Sequence, residues 1–161
     1  MLHKILTNLV SFFLPITVLI LVPDLLTDFE PVKFSFWAIP GILLLLIGLS
    51  ILTFTVTAFI RKGEGTLAPW SPTQKLVITG LHAYVRNPMI LGVATTLCGE
   101  ALILYSIEIL FWLVLFIIIN HFYFIYFEEP SLLDRFGKDY ALYKKNVRRW
   151  IPQLHPYKRE S

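Results

Sequence analysis

Arg86, Asn87 and Pro88 stand in a row at the end of a polar stretch, where an arginine, an amide and a rigid proline can act together. A guanidinium presents a fixed fork of donors that matches carboxylate or phosphate. The same three residues also fit a plain helix start, because proline is pre-organised at a first helical position and arginine can lay its stem along apolar surface. A second group begins with His121 and ends with the adjacent carboxylates Glu128 and Glu129, just before Pro130. Seven residues separate His121 from Glu128, which in a helix is two turns, about 10 Å along one face. Two carboxylates at the end of a helix meet the unfavourable pole of its macrodipole, so a cation should compensate them. That cation is either a base of the tail, such as Arg135, or a cationic or hydroxyl-rich ligand. Gly63-Glu64-Gly65 matches the opening of a dinucleotide fingerprint, but it lacks the third glycine and the preceding strand that give the fingerprint meaning.

The elements that must position these groups follow from composition. Of 161 residues, 56% are hydrophobic and 16% are charged, against roughly 25% charged in an ordinary soluble domain. A soluble monomer cannot display that much apolar surface, and the mean hydropathy of +0.68 points to lipid. A hydrocarbon core about 30 Å thick needs roughly 20 apolar residues as helix. Residues 5–22 and 36–60 carry no charge, 89–105 carry only Glu100, and 109–127 only the titratable His121. The expectation is therefore a single all-α integral membrane domain over residues 1–161. It has four transmembrane helices at about 5–22, 36–60, 89–105 and 109–127, a loop at 61–88 and a C-terminal helical segment at 128–161. Pro15 should kink the first helix. That stretch also resembles a signal peptide, although Val22-Pro23-Asp24 is a poor cleavage site. The last two spans can be joined only by a tight turn around Ser106 and Glu108.

Basic residues sort to one side. Arg61, Lys62, Lys75 and Arg86 outnumber Glu64 in the 61–88 loop, and eight Lys and Arg residues lie beyond Phe127. The positive-inside rule then places the N-terminus, that loop and the C-terminus in the cytoplasm, with the inner membrane as the host if the source is bacterial. Lys144, Lys145, Arg148 and Arg149 equally suit anionic headgroups or a ligand. No basic face remains for nucleic acid, and the lone Cys98 excludes a disulfide framework or a multi-cysteine zinc site.

The two polar segments should differ in structure. Gly63, Gly65, Pro69, Pro72, Gly80 and Pro88 argue against a long helix in the first, with a short β-like run at 75–79. Phe136, Tyr140, Tyr143 and Val147 recur at spacings of four, three and four in the second, predicting an amphipathic helix that lies on the membrane or folds back over a site. Trp37 and Trp112 read as interfacial anchors. Glu100 reads as a helix-to-helix hydrogen bond or a residue near the outer interface, against an intramembrane carboxylate that acts on a ligand.

Together these motifs resemble the integral membrane methyltransferases that include the isoprenylcysteine carboxyl methyltransferases and the phospholipid methyltransferases. The resemblance rests on Gly63-Glu64-Gly65-Thr66 with Pro69, on Leu76-Val77 and Gly80, and on Arg86-Asn87-Pro88-Met89 with Gly92. It continues through Glu128-Glu129, Leu132, Phe136-Gly137, Tyr140, Tyr143 and Arg149-Trp150-Ile151-Pro152. It implies methyl transfer from S-adenosylmethionine, without a metal, to a lipidic or apolar acceptor reached through the bilayer. Leu76, Val77, Asn87, Pro88 and Glu128 match cofactor-contact positions, and His82, Arg86, His121 and Glu129 join them. Arg86, Asn87 and Glu129 are the expected catalytic group, and Phe124 and Arg149 the expected acceptor contacts. His82 and Ile90 replace tyrosines of the family pattern, and Arg148 replaces a proline. Phe124 stands where the isoprenylcysteine enzymes carry an arginine for the substrate carboxylate, so prenylcysteine is not the expected acceptor. An NADPH-dependent membrane reductase, which shares the R(H/N)P segment, and a non-catalytic membrane scaffold are the alternatives.

Overall fold

The computed structural model describes residues 15–27, 36–62 and 75–158. Most of the expected first span, the Gly63–Pro69 motif and Trp70 fall outside them. The described residues form helices and irregular segments, with no β-strand among them. Helix α1 spans Thr17–Leu26, α2 Ala38–Lys62, α3 Pro88–Leu104, α4 Ile107–Tyr123 and α5 Glu129–Asn146. A 3-10 turn at Gly80–Ala83 precedes α3.

The boundaries depart from the sequence reading in informative places. Helix α1 runs past Val22 to Leu26 because a wide π turn, Thr17–Leu21, hands over to an α segment with Pro23 in its first turn, where a missing N–H is tolerated. Thr27 closes it, its N–H and Oγ1 both donating to the Pro23 carbonyl at 3.0 and 2.9 Å. The same device acts at Pro130. The helix was expected to end at the glutamate pair, yet α4 passes through a π turn at Phe124–Glu128 directly into α5, making one rod from Ile107 to Asn146. In the π turn the Glu129 N–H donates to Phe124 O, five residues back, and Pro130 falls in the first turn of α5, where no helical N–H is needed. The rod then kinks at Gly137, whose φ of 51° lies in the left-handed region where only glycine is at ease.

Among the described residues, two helices hold a stretch long and apolar enough to cross a membrane: Ala38–Ala58 of α2, with mean hydropathy 2.4, and the most apolar part of the rod formed by α4 and α5, with 2.2. Only 17% of the most apolar window of each is buried within the protein, so their outward faces require lipid. Helix α3 has 17 residues, the short end of the length that spans a hydrocarbon core.

Helices α2 and α3 pair antiparallel through small residues. A Cβ added at Gly48 would stand 2.3 Å from Thr96 Oγ1, and one at Gly99 would stand 2.6 Å from the Leu45 nitrogen, so the two backbones touch. Such close approach supplies the van der Waals contact that lipid-embedded helices depend on, since lipid tails offer no hydrophobic drive to associate. Helix α4 packs on α3 through Val93, Leu97, Ala101, Ile109, Leu113 and Phe116, the main buried cluster. The turn between them is as tight as expected: Tyr105 adopts φ 51° and Ser106 Oγ caps α4 by accepting from the Ile109 N–H at 3.2 Å. Trp112, expected as an interfacial anchor, also makes a contact between helices. Its Nε1 donates to Val18 O at 3.2 Å and ties α4 to α1. Trp37, half exposed at the start of α2, remains compatible with that role.

Candidate functional site

The polar groups converge where the segment before α3 meets the C-terminal tail. Tyr140, Tyr143 and Val147 leave α5 on one face and bury themselves against Leu76, Ile78, Leu132, Phe136 and Tyr157. The amphipathic segment thus folds back over the 75–87 stretch, one of the two placements its spacing allowed. Residues 75–79, expected as a β-like run, are not paired into a sheet, and Val77 is buried while Leu76 is half-buried. Backbone bonds stitch the two segments together: Arg86 N–H donates to Arg148 O at 2.8 Å, Gln153 N–H to Tyr84 O at 2.9 Å and Tyr157 N–H to Ala83 O at 2.8 Å. Tyr143 Oη adds a bond to His82 O at 2.6 Å, and burial raises that phenol's pKa, which keeps it a donor.

At the centre is Glu129, a carboxylate only 4% exposed. Its Oε1 accepts from Arg86 Nη1 at 2.7 Å and from Arg149 Nε at 2.6 Å, and its Oε2 meets Lys144 Nζ at 2.7 Å. Burial alone would raise its pKa, but the hydrogen bonds from Arg149 and Lys144 and the charges of Arg86 and Arg149 outweigh that and hold it at about 2. Arg86 is equally committed, since its Nε donates to Val147 O at 2.9 Å. The cations that compensate Glu129 are therefore Lys144 and Arg149 of the tail together with Arg86 of the loop.

Glu128 differs. None of the three ion pairs ends on it, and burial raises its pKa against the lowering effect of the Arg135 charge. Asn87 is buried, yet its side chain does not cap α3 and its Nδ2 has no hydrogen-bond partner. His82 is buried, and its Nδ1 is likewise unpartnered. Burial depresses His82 to a pKa of about 4, so the ring is neutral near pH 7. Buried polar atoms without partners are uncommon in folded proteins and call for an explanation. Had Arg86-Asn87-Pro88 been only a helix start, the amide would be expected at the cap; Pro88 does occupy the first turn, but Asn87 is left over.

His121 and Phe124 meet the tail at another point. Trp150 Nε1 donates to His121 Nδ1 at 3.1 Å, and the Phe124 ring stands edge-on to Trp150 with centroids 6.0 Å apart. Because Nδ1 accepts, a neutral His121 carries its proton on Nε2. The sequence reading missed Lys144 as a Glu129 partner and Trp150 as a partner of His121. Each contact closes a loop of 15 to 29 residues, beyond any helical spacing that a local pattern could reveal. No group of three His, Cys, Asp or Glu residues suited to a metal occurs among the described residues.

Helices this long and apolar, with their apolar faces turned outward, mark a membrane protein. A model of the phospholipid methyltransferase family matches residues 36–139, which include Arg86, Asn87, Glu128 and Glu129. The chain belongs to that family of methyltransferases, whose name places methyl transfer on a membrane lipid. Comparison with curated proteins and with solved structures gives no match.

Proposed function

We propose that this protein transfers a methyl group from S-adenosylmethionine to a lipidic acceptor within the bilayer. The observation that carries the reading is the pair of buried, unpartnered polar atoms, Asn87 Nδ2 and His82 Nδ1, on the loop that the Arg86–Glu129 pair clamps next to Glu128. The chemistry of this set fits the cofactor. Glu128 can accept from an ammonium or a ribose diol with charge-assisted strength, Asn87 can donate to a carboxylate or to a ring nitrogen, and neutral His82 adds no positive charge beside a sulfonium. Leu76, Val77 and Pro88 supply apolar walls. When bound, S-adenosylmethionine supplies an electrophilic methyl group. The chain's own residues then need only hold the partners in line and exclude water, since such a displacement gains chiefly from positioning and from a dry site.

Arg86 and Glu129 act in this reading as positioning residues that fix the loop against the tail, with Arg149 and Lys144. His121, Phe124 and Trp150 form the wall toward the membrane, where an apolar acceptor enters. The four-span arrangement, with N-terminus, 61–88 loop and C-terminus cytoplasmic, belongs to the same proposal and rests on the positive-inside asymmetry. Calorimetric titration of the detergent-purified protein with S-adenosylhomocysteine and with NADPH tests it, using wild type and Glu128→Ala. Binding of S-adenosylhomocysteine that the variant loses supports the reading. Binding of NADPH alone would move the protein to a reductase, and binding of neither would leave a scaffold. Robust turnover of a prenylcysteine analogue would overturn the acceptor assignment.

A further inference from the structure

A cavity that Arg86 lines, but Asn87 does not, is left unused by the methyl-transfer reading. It encloses ≈ 1040 Å³ between the end of α5 and the segment Pro152–Lys158. Lys145, Arg148 and Lys158 line it and are exposed, and no carboxylate is among its lining residues. Arg86 and Lys144 also reach its wall, but their charges are already met by Glu129. The three remaining cations therefore line one concavity with no anion among the described residues that line it.

The surroundings of this bowl are apolar in a way water does not favour. Leu154 is 92% exposed, Ile151 64% and Leu142 49%, and Leu142 and Leu154 line the same cavity. Its height relative to the helices is set by the backbone bonds from Arg86, Gln153 and Tyr157, which fasten residues 148–157 to residues 83–86. Helix α3 begins at Pro88, two residues beyond Arg86. The bowl consequently lies at the level where α3 enters the apolar layer, which in a bilayer is the headgroup zone. Cations with bare leucine and isoleucine beside them at that depth match the pattern of interfacial segments, where apolar side chains enter the acyl boundary and Lys or Arg meet anionic headgroups.

We propose that this bowl is a binding site for the phosphate-bearing headgroup of an anionic membrane lipid, held by Lys145, Arg148 and Lys158 with Leu142, Ile151 and Leu154 among its acyl chains. The lipid is distinct from the methyl acceptor, and the proposal stands whether or not the protein binds S-adenosylmethionine. It would seat the tail on the membrane and so brace the segment that covers the Glu129 cluster.

The test is calorimetry on the full chain purified in detergent, titrated with short-chain phosphatidylglycerol, short-chain phosphatidylcholine and inorganic phosphate. Saturable binding of phosphatidylglycerol is expected, at least about tenfold weaker in the combined variant Lys145→Gln, Arg148→Gln, Lys158→Gln. The charge-keeping variant Lys145→Arg, Arg148→Lys, Lys158→Arg should bind like wild type, which separates lost charge from lost folding. Leu154→Ser, at a site too exposed to disturb the fold, should weaken phosphatidylglycerol binding severalfold. Three results would each overturn the proposal: no saturable binding of phosphatidylglycerol, equal affinity in the charge-neutral variant, or inorganic phosphate or phosphatidylcholine binding as tightly as phosphatidylglycerol.

Discussion

Glu129 is ringed by Arg86, Lys144 and Arg149 and nearly sealed from solvent, whereas Glu128, one residue earlier, carries none of those bonds. The contrast shows how one helical turn can serve two purposes. The π turn at Phe124–Glu128 widens the helix just before Pro130, so the two carboxylates project differently from a continuous rod. The saturated carboxylate joins α5, the segment before α3 and the tail into one unit. In the proposed reading the other carboxylate, Glu128, is the one that meets the ligand, and the rigid cluster beside it means that little needs to move when the ligand arrives.

The sharpest way to break this comparison is to remove the saturated partner. Glu129→Gln leaves three cations around a neutral amide, and deleting one member of a buried ion cluster typically costs about 3–5 kcal/mol. The expected outcome is a large fall in thermal midpoint, or loss of the folded protein, measured by tryptophan fluorescence in detergent. Glu128→Gln should do the reverse: the melting midpoint stays near wild type while affinity for S-adenosylhomocysteine falls by about one to two orders of magnitude, the worth of a charged hydrogen bond. Asn87→Ala removes an amide whose Nδ2 has no partner in the protein itself, so stability should hold or rise slightly while ligand affinity drops about tenfold. A variant that lost stability and kept affinity would reverse the assignment.

Acid titration sharpens the same contrast. Glu129 has a folded pKa of about 2, below its unfolded value, so its contribution to stability is full above pH of about 4.5 and is lost as pH falls toward 2. His82 acts in the same direction for a different reason. Its folded pKa of about 4 lies below its unfolded value of about 6.5, so the unfolded chain takes up a proton that the folded one refuses, and stability declines as pH falls from about 6.5 to 4. Melting curves should accordingly show two descending steps, and His82→Gln should remove the upper one. The smallest effect is expected of Trp150→Phe, which keeps the ring beside Phe124 but deletes the hydrogen bond to His121, about 0.5–1.5 kcal/mol.

Much of this was legible in the sequence for reasons that are local. Uncharged runs gave α2 and α3 within a residue or two, because lipid demands helices and charge marks their ends. The four-three-four spacing of Phe136, Tyr140, Tyr143 and Val147 anticipated a buried face, since helical periodicity reports which side packs. What stayed hidden depended on contacts distant in the chain or on backbone detail. Pro130 reads as a helix end unless a π turn is known to precede it, and Pro23 misleads in the same way. The difference between Glu128 and Glu129 could not be read from two identical letters, because it arises from Arg86, 43 residues away, and from Lys144 and Arg149 on a tail that folds back. Gly48 and Gly99 looked unremarkable within apolar runs, although they set the separation of α2 and α3.

The most direct measurement is the shift in melting midpoint on adding saturating S-adenosylhomocysteine, compared between wild type and Glu128→Gln in the same detergent. A ligand that binds only the folded protein stabilises it by mass action. Wild type should therefore melt higher with ligand, and Glu128→Gln should match the unliganded wild type yet show little or no shift. A Glu128→Gln protein that keeps the full ligand shift, or that is already as destabilised as Glu129→Gln without ligand, would contradict the division of labour between the two glutamates.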